Sequence, residues 1–425
     1  MSVAEGAEAP GQPDKAPQPA FRLGAGLVTG ASDDDPSGIA TYSQAGAQFG
    51  YGLLWTLLLT FPLMAAVQII SAQIGRVTGC GLAKNMQDVV PRPCVFAIVG
   101  LLFVANTINV GADLAAMGAV SELMVGWGKH GFTIFFALFS LGLQLFVPYH
   151  RYAKYMTLVV FAYVAVVFAV GVDWADVARG LLPLDVKLTN DGVTTIVAIL
   201  GTTISPFLFF WQSSQEVEEA HRHSATIPLK RKTEKAAREM TRIRFDTFVG
   251  MAVSNVVGMA IMISAAATLH LHGKTDVATA SDAAAALRPI AGDFAFLLFS
   301  VGIVGTGLLA VPVMAGSGGY AAAELCGWTC GLENKPHEAM PFYGVIVAST
   351  LLGIGIDYLP LDPMKALFWS GVINGFVAAP VLAIMMWLAG RGARMGSFKI
   401  SSLLLYVGWA TAALMAGSAV AMLFE

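Results

Sequence analysis

The chain has 425 residues, of which 56% are hydrophobic and only 12% are charged, and its formal net charge is −3. A soluble protein carries roughly 25% charged residues, whereas apolar runs of the ~20 residues that cross a bilayer recur here from residue 22 onward. The composition therefore excludes a soluble protein and predicts an all-α integral membrane protein in contact with the lipid bilayer. There is no series of short alternating strands to indicate a barrel, and we expect no nucleic-acid partner.

The first segment, MSVAEGAEAPGQPDKAPQPA, is rich in Pro, Ala and Glu and has no apolar centre. It therefore lacks the hydrophobic stretch of a signal peptide, and its composition is typical of a disordered tail. We expect residues 1–21 to form a disordered cytoplasmic tail and residues 22–425 to form a single transmembrane domain. The four cysteines lack the paired spacing of a zinc site and are expected to be free thiols.

The apolar segments predict about eleven transmembrane helices. In chain order they lie at about 22–48, 52–75, 93–125, 131–149, 153–172, 192–218, 246–270, 292–324, 340–357, 364–389 and 402–423. The third and eighth are long, so we expect them to tilt or to extend beyond the bilayer.

Lys and Arg are concentrated in alternate loops. The loops after helices 2, 4, 6 and 10 are basic, whereas the loops between them carry few basic residues. By the positive-inside rule, the N-terminus is cytoplasmic and the C-terminus is external. We expect the chain to lie in the cell (plasma) inner membrane.

Helices 1 and 6 are interrupted near their middles by small residues and proline. In SDDDPSGIATYS the interruption falls at Asp35-Pro36, and in LGTTISPFLFFWQ it falls at Ser205-Pro206. These helices begin the two halves of a five-plus-five arrangement, and such a pair of broken helices indicates a transporter's binding site. Each break frees backbone carbonyl groups inside the membrane, where a bound cation can be their partner.

Asp35 is a carboxylate inside a membrane helix, which by default indicates a functional site. No basic residue lies in the middle of any predicted helix to pair with it. We therefore expect a cation site at the two breaks. Its candidate ligands are Asp35, Ser37, Gly38, Thr202, Thr203 and Ser205.

Other polar residues in the membrane predict a pathway on either side of this site. They are Asp33, Asp34, Asn106, Asn109, Asp113, Gln212 and Asn374. The two additional aspartates point away from Asp35 by about 100–200° and either face a hydrated path or bind the ion. The three polar residues of helix 3 share one face and form either interhelical hydrogen bonds or a wall of the path. The glutamates at positions 216, 218 and 219 end helix 6, where they either gather cations at the cytoplasmic mouth or, as we expect, form a solvated helix extension that faces the basic loop.

The residues around the breaks resemble the Nramp family of divalent-metal transporters. GAGLVTGASDDDPSGIATYSQAGAQFGYGLLW is similar to the family's first helix, in which Asp-Pro-Gly-Asn forms the break, and LGTTISPFLFFWQ is similar to its sixth, with Met-Pro-His. RYAKYMTLVVFAYVAVVFAV and the DWADVARGLLP that follows resemble its fifth helix and the loop beyond. The resemblance extends from about residue 22 to the C-terminus.

This resemblance implies a LeuT-like fold of two inverted repeats, helices 1–5 at about 22–172 and helices 6–10 at about 192–389, with an extra helix at about 402–423. It implies transport of divalent cations by alternating access, with a monomer as the transport unit. The metal ion is then the transported substrate, and no cofactor is expected.

The departures from the family pattern are informative. Asp35 and Pro36 are kept, but the family's Gly-Asn reads Ser37-Gly38, and its Met is replaced by Ser205. A thioether favours late transition metals, whereas a hydroxyl favours harder cations. The pattern is similar to that of the Nramp-related magnesium transporters, a divergent branch, and predicts transport of Mg²⁺ together with Mn²⁺.

The family's proton-relay positions have also changed. They read Ala116, Phe207 and Gln212 here, and none of the seven histidines, which titrate near neutral pH, lies centrally in a predicted helix. We therefore expect transport without proton coupling. The alternatives are a proton-coupled Mn²⁺/Fe²⁺ transporter and a LeuT-fold symporter for a small organic solute. The chain has no Ser/His pair and no HExxH motif, so we do not expect an enzyme.

Overall fold

The computed structural model describes residues 24–126, 128–183, 189–222, 229, 234–358 and 363–421. Across these ranges the regular structure is helical, and no strand is present. The tail expected at residues 1–21 lies outside the described residues.

The first half of the chain begins with a broken helix. Its helices are α1 (Ala25–Ala31), α2 (Pro36–Phe49), α3 (Leu54–Thr78), α4 (Leu82–Gln87), α5 (Arg92–Val125), α6 (Lys129–Phe146), α7 (Tyr149–Val160), α8 (Ala162–Ala169) and α9 (Trp174–Gly180). A 3₁₀ turn at Gly50–Leu53 joins α2 to α3. The fifth predicted helix is divided at Phe161 into α7 and α8.

The second half also begins with a broken helix. Its helices are α10 (Asn190–Thr203), α11 (Pro206–Arg222), α12 (Glu234–Thr268), α13 (Ala280–Cys326), α14 (Met340–Asp357), α15 (Pro363–Gly390), α16 (Gly392–Met395) and α17 (Ser402–Ala421). α13 bends at Gly292, whose φ of 84° is open to glycine but costly for other residues. The predicted eighth membrane helix begins at this bend.

Ten helical segments of the described ranges are long and apolar enough to cross a membrane. The prediction of about eleven differs at one place, the first broken helix. Its halves have 7 and 14 residues, so neither alone reaches the ~20 residues of a membrane crossing. The second half runs through the 3₁₀ turn into α3 and is counted with it.

The half-helix α1 is held against α12 by glycines. A Cβ atom at Gly30 would collide with the carbonyl of Gly250, and one at Gly26 would meet the backbone of Thr247. Small residues allow membrane helices to approach this closely. On its other side the break faces α5 and α13, which pack along each other at the centre of the molecule. This packing fixes the position of the break relative to the rest of the protein.

Candidate functional site

The sequence Asp-Pro-Ser-Gly explains how the first helix restarts after its break. Asp35 is the N-cap of α2, and its Oδ1 accepts hydrogen bonds from the Gly38 backbone N–H at 2.6 Å and the Ser37 hydroxyl at 2.8 Å. Pro36 fills the first helical position, where its missing N–H is not needed. The N-terminal end of α2 also favours a negative charge. The carboxylate is therefore held at the break with Oδ2 left for another partner.

The second break is built differently, because here a helix ends with its carbonyl groups facing the site. Pro206 cannot donate to the carbonyls at the end of α10, and the Ser205 hydroxyl donates to the Gly201 and Thr202 carbonyls at 3.0 and 2.9 Å. A hydroxyl that donates its hydrogen bond to these carbonyls still has lone pairs that can bind a cation. Ser205 thus caps α10 and remains a potential oxygen ligand.

The two breaks meet at Gly38. A Cβ atom at this position would lie 3.1 Å from the Asp35 Oδ1 and 3.2 Å from the Thr202 Oγ1. Such contacts are tighter than side chains normally make, so the absence of a side chain lets Thr202 on α10 approach Asp35 on the first helix.

A cavity of about 360 Å³ runs from this meeting point to the exposed Asp191 at the start of α10. Its polar lining consists of Asp35, Ser37, Thr41, Gln44, Gln48, Asn109, Asp191, Thr194, Thr195, Thr202, Ser205, Asn374 and Ser418. One thioether, that of Met415 on α17, also lines it. The donors to a cation are thus almost entirely hydroxyl, amide and carboxylate oxygens.

The cavity brings together six of the residues singled out in the sequence. They are Asp35, Ser37, Thr202, Ser205, Asn109 and Asn374. Asn109 and Asn374 reach it from α5 and α15, opposite the two breaks. The Asn109 Oδ1 accepts the Ser370 hydroxyl at 2.6 Å, whereas the buried Asn374 Oδ1 has no hydrogen-bond partner among the described residues.

The other candidates lie outside the cavity. They are Gly38, Thr203, Asp33, Asp34, Asn106, Asp113 and Gln212. The buried Thr203 turns its hydroxyl back to the Ile199 carbonyl. The Asn106 amide donates to the Met314 carbonyl at 2.9 Å and the Ser317 hydroxyl at 2.8 Å, which is the interhelical bonding that the sequence left open as one of two possibilities.

Asp113 lies just behind the cavity wall. It is fully buried on α5, interacts electrostatically with Asp35, and approaches the backbone N–H of Ser37. Neither of its carboxylate oxygens reaches hydrogen-bond geometry with a described residue. Asp113 therefore lies next to the site without facing the open space.

The sequence analysis missed the outer wall of the cavity, although a signal was present. Positions 37, 41, 44 and 48 are polar and spaced by four, three and four residues, which places them on one face of α2. The same holds for α10 at positions 191, 194 or 195, and 202, with Ser205 following at the break. Gln44 further binds the 273–279 loop, accepting from the Val277 N–H at 2.7 Å. Met415 had no comparable signal, because it lies in an apolar helix outside the two repeats.

On the opposite side of the breaks, the protein is closed by charged groups. Asp246 on α12 accepts from the backbone N–H groups of Gly24 and Gly26, each at 2.8 Å. Glu219 accepts from the Ala25 N–H at 3.3 Å and forms an ion pair with Arg242 at 3.2 Å. Two carboxylates, one of them paired with Arg242, therefore cap the start of α1, where three donors would otherwise lack partners.

The prediction of a solvated end to helix 6 is wrong. Glu216 is fully buried, and its carboxylate lies 3.8 Å from the Arg242 guanidinium and accepts from the Gln212 amide at 3.2 Å. The Thr29 hydroxyl in turn donates to Gln212. Glu216 and Glu219 pack against α12 because Arg242 offsets their charge there, whereas Glu218 accepts from the Tyr320 hydroxyl on α13.

Among the described residues, no three His, Cys, Asp or Glu side chains are grouped to hold a metal ion. A resident metal centre normally recruits several such ligands. The cavity instead offers one buried carboxylate among neutral oxygens, an arrangement that can bind a cation without trapping it.

Residues 26–425 match the family model described as natural resistance-associated macrophage protein-like, Nramp. The chain is 26% identical over 400 residues to the divalent metal cation transporter MntH of Pectobacterium carotovorum, covering 89% of this chain and 86% of that protein. It is 27% identical over 414 residues to the MntH of Klebsiella pneumoniae, covering 92% and 91%. These relatives are named as transporters, not as enzymes.

Solved structures show the same fold. The manganese transporter of Eremococcus coleocola superposes with a TM-score of 0.75 at 18% identity, covering 94% of this chain and 85% of that one. Mhp1, a nucleobase-cation-symport-1 family transporter, superposes with a TM-score of 0.60 at 12% identity, covering 95% and 92%. The fold is therefore LeuT-like, with helices 1 and 6 broken within the membrane. By its match over almost its whole length, this integral membrane protein belongs to the Nramp family.

Proposed function

We propose that this protein moves divalent metal cations across the membrane by alternating access, that Mg²⁺ and Mn²⁺ are among its substrates, and that transport is not coupled to protons. The observation that carries the proposal is the position of Asp35, a buried carboxylate at the inner end of an oxygen-lined cavity. Its relatives named as divalent metal transporters support the same substrate class.

Asp35 is the charged ligand in this proposal. The hydroxyls of Ser37, Thr202 and Ser205 surround it, and Asn109 and Asn374 face it from across the cavity. Gly38 and Thr203, also candidate ligands, serve packing roles: Gly38 admits Thr202, and Thr203 bonds within α10. A single carboxylate gives enough attraction to collect a divalent ion and too little to hold it permanently, as transport requires.

The size of the cavity favours an ion that keeps part of its water. A site for one water molecule needs only about 10–15 Å³, so 360 Å³ accommodates a cation with several waters. Mg²⁺ dehydrates reluctantly and is normally bound through one or two carboxylates and retained waters. The oxygen lining matches this preference, and Mn²⁺ accepts the same ligands.

Transport without proton coupling is supported by the residues at positions 207 and 212, which do not titrate, and by the drive that the membrane potential supplies. Phe207 is buried outside the cavity and has no titratable group, and Gln212 is occupied by Thr29 and Glu216. The membrane potential supplies a sufficient drive, because a divalent ion gains about 4.6 kcal/mol per 100 mV, twice the value for one charge.

We further propose that the protein lies in the cell (plasma) inner membrane with its N-terminus cytoplasmic and its C-terminus external. The start of α1 contacts the ends of α11 and α12 that flank the basic loop, and Ser418 near the end of α17 lines the cavity. The described cavity would then be open to the outside. One chain supplies its whole lining, which supports a monomer as the transport unit.

The test is uptake into proteoliposomes of Mg²⁺, Mn²⁺ and Ca²⁺ side by side, with a pH dye inside. We expect Mg²⁺ and Mn²⁺ uptake that is absent in Asp35→Asn and unaffected by organic amines. Uptake of Mn²⁺ alone, with acidification, would identify the proton-coupled alternative. Competition by an amine without metal flux would identify an organic-solute symporter.

A further inference from the structure

A second group of buried polar atoms lies at the first break, on the side away from the cavity. Asp33 and Asp34 do not line the cavity, and they are 2% and 0% exposed. Neither carboxylate oxygen of Asp34 has a hydrogen-bond partner among the described residues. Asp33 accepts one hydrogen bond, from the Ser254 hydroxyl to Oδ2 at 2.8 Å, while its Oδ1 has none.

The surroundings of these carboxylates are negative. The C-terminal end of α1 points at them, and helix C-termini carry a partial negative charge. The charged groups that act on Asp33 and Asp34 are themselves carboxylates, each other and Asp35. Arg242 is committed to Glu216 and Glu219. An uncompensated buried charge costs several kcal/mol, and a bound cation would offset that cost.

A further buried oxygen lies within electrostatic range of Asp34, on another helix. The side chain of Tyr163 on α8 is fully buried, and its hydroxyl has no hydrogen-bond partner among the residues that the structure describes. It interacts electrostatically with Asp34. The Thr306 hydroxyl on α13 lies beside it but outside hydrogen-bond geometry. The Ser254 hydroxyl of α12 thus contacts the carboxylates directly, and the Tyr163 hydroxyl of α8 lies within electrostatic range of them.

We propose that Asp33, Asp34 and Tyr163 form a second cation site, separate from the cavity, that takes a monovalent cation of the size of Na⁺. The unpartnered oxygen atoms are shielded from solvent, so the ion must shed its water, which Mg²⁺ resists. Carbonyls at the ends of broken half-helices are typical Na⁺ ligands in transporters. Bound there, the ion ties the break of helix 1 to α8 and α12.

The proposal is tested by the thermal stability of the purified protein, because an ion that binds only the folded state raises Tm with its concentration. Choline chloride is replaced stepwise by NaCl at constant total salt. We expect a saturable rise in Tm for the wild type. Asp34→Asn should lose this response and, lacking a buried charge, should be at least as stable in choline chloride. Tyr163→Phe, which preserves the ring packing, should shift the response to higher Na⁺.

Asp35→Asn is the matched control, since it makes the same change one residue further on. It should keep the Na⁺ response and lose any stabilisation by Mg²⁺, so failure of this site is distinguishable from failure of the transport site. Equal Tm values in NaCl and choline chloride for the wild type would overturn the proposal. So would a Na⁺ response that survives in both Asp34→Asn and Tyr163→Phe, or one that disappears in Asp35→Asn.

Discussion

The two sides of the helix breaks differ in their side chains: one side is an open cavity lined by neutral oxygens, and the other is closed by paired charges. On the cavity side, hydroxyls and amides leave an open, weakly polar space with one buried carboxylate, Asp35. On the other side, Glu216, Glu219 and Asp246 are packed around Arg242 and the start of α1. Neutral oxygens bind a cation weakly enough to release it again. Paired charges instead hold neighbouring helices together.

The difference shows why the number of acidic residues is a poor guide to a cation path. The closed side has more carboxylates than the cavity, but they are used by backbone N–H groups and by a guanidinium. A carboxylate serves transport only where its partners leave an oxygen free, as the turn at Asp35 does. The comparison can be tested on each side separately.

The largest effect is expected from Asp35→Asn on the cavity side. Asparagine is as good an N-cap as aspartate, so α2 should still form while the charge is lost. At 4 Å and an effective dielectric constant of 20, one charge attracts a divalent ion by about 8 kcal/mol, so metal uptake should fall to background. Proteoliposome uptake measures this loss.

Asp191→Asn is the control, because it makes the same change at the exposed end of the same cavity. We expect it to retain most of the uptake. If Asp35→Asn transports at a rate close to that of the wild type, Asp35 is not the charged ligand, and the contrast between the two sides loses its basis.

Much of this contrast could be read from the sequence, because it depends on local chemistry. Asp35-Pro36 and Ser205-Pro206 mark both breaks, since proline removes a donor and the preceding polar residue caps the helix. The partners of Glu216 could not be predicted in this way. They depend on Arg242, which lies 26 positions further along the chain, and on a contact between α11 and α12 that no periodicity encodes.

The outer wall of the cavity is an intermediate case. The polar face of α2, from Ser37 to Gln48, follows helical spacing and was predictable, but only α10 packing across it shows that the face lines a cavity. The prediction at Asn106 and Asn109 illustrates the same limit. Both residues share a face of α5, yet one bonds α13 and the other meets the cavity, because α13 covers only part of that face.

On the closed side, we expect Asp246→Ala to loosen the start of α1. The substitution leaves the Gly24 and Gly26 N–H groups without their acceptor, and each unsatisfied buried group costs about 1–3 kcal/mol. The equilibrium should shift toward opening on this side by roughly tenfold or more, since 1.4 kcal/mol is one factor of ten. The rate of alkylation of Thr29→Cys by a thiol reagent measures the shift.

The four native cysteines must first be replaced by serine, because all are free thiols and two are exposed. Thr241→Ala is a suitable control on the same helix, since its exposed hydroxyl bonds only within α12. Unchanged alkylation of Thr29→Cys in the Asp246→Ala background would show that the acids do not hold this side closed.

A smaller effect is expected from Ser205→Met, which adds a soft ligand to the oxygen-lined side. A thioether prefers late transition metals, and a gain of about 1 kcal/mol would raise the ratio of Cd²⁺ to Mg²⁺ uptake by roughly fivefold. Ser205→Leu, of similar bulk but without sulfur, separates ligand softness from volume. Met415→Leu tests whether the thioether already present contributes. An equal change in the ratio for Met and Leu at position 205 would contradict the argument from softness.

The last prediction concerns protons and expects the smallest effect. During metal uptake by the wild type at a clamped membrane potential, the pH inside the liposomes should not change. A coupled carrier needs a group that loads and releases a proton during the cycle, with a pKa near the working pH. Among the described residues, the cavity lining contains no histidine, and its carboxylates are Asp35 and the exposed Asp191. The buried Asp113 interacts electrostatically with Asp35 but does not line the cavity, so Asp113→Asn should leave both metal uptake and internal pH behaviour largely as in the wild type. A metal-dependent acidification that disappears in Asp113→Asn would reverse this conclusion. It would show that a buried acid beside the cavity carries a proton during transport.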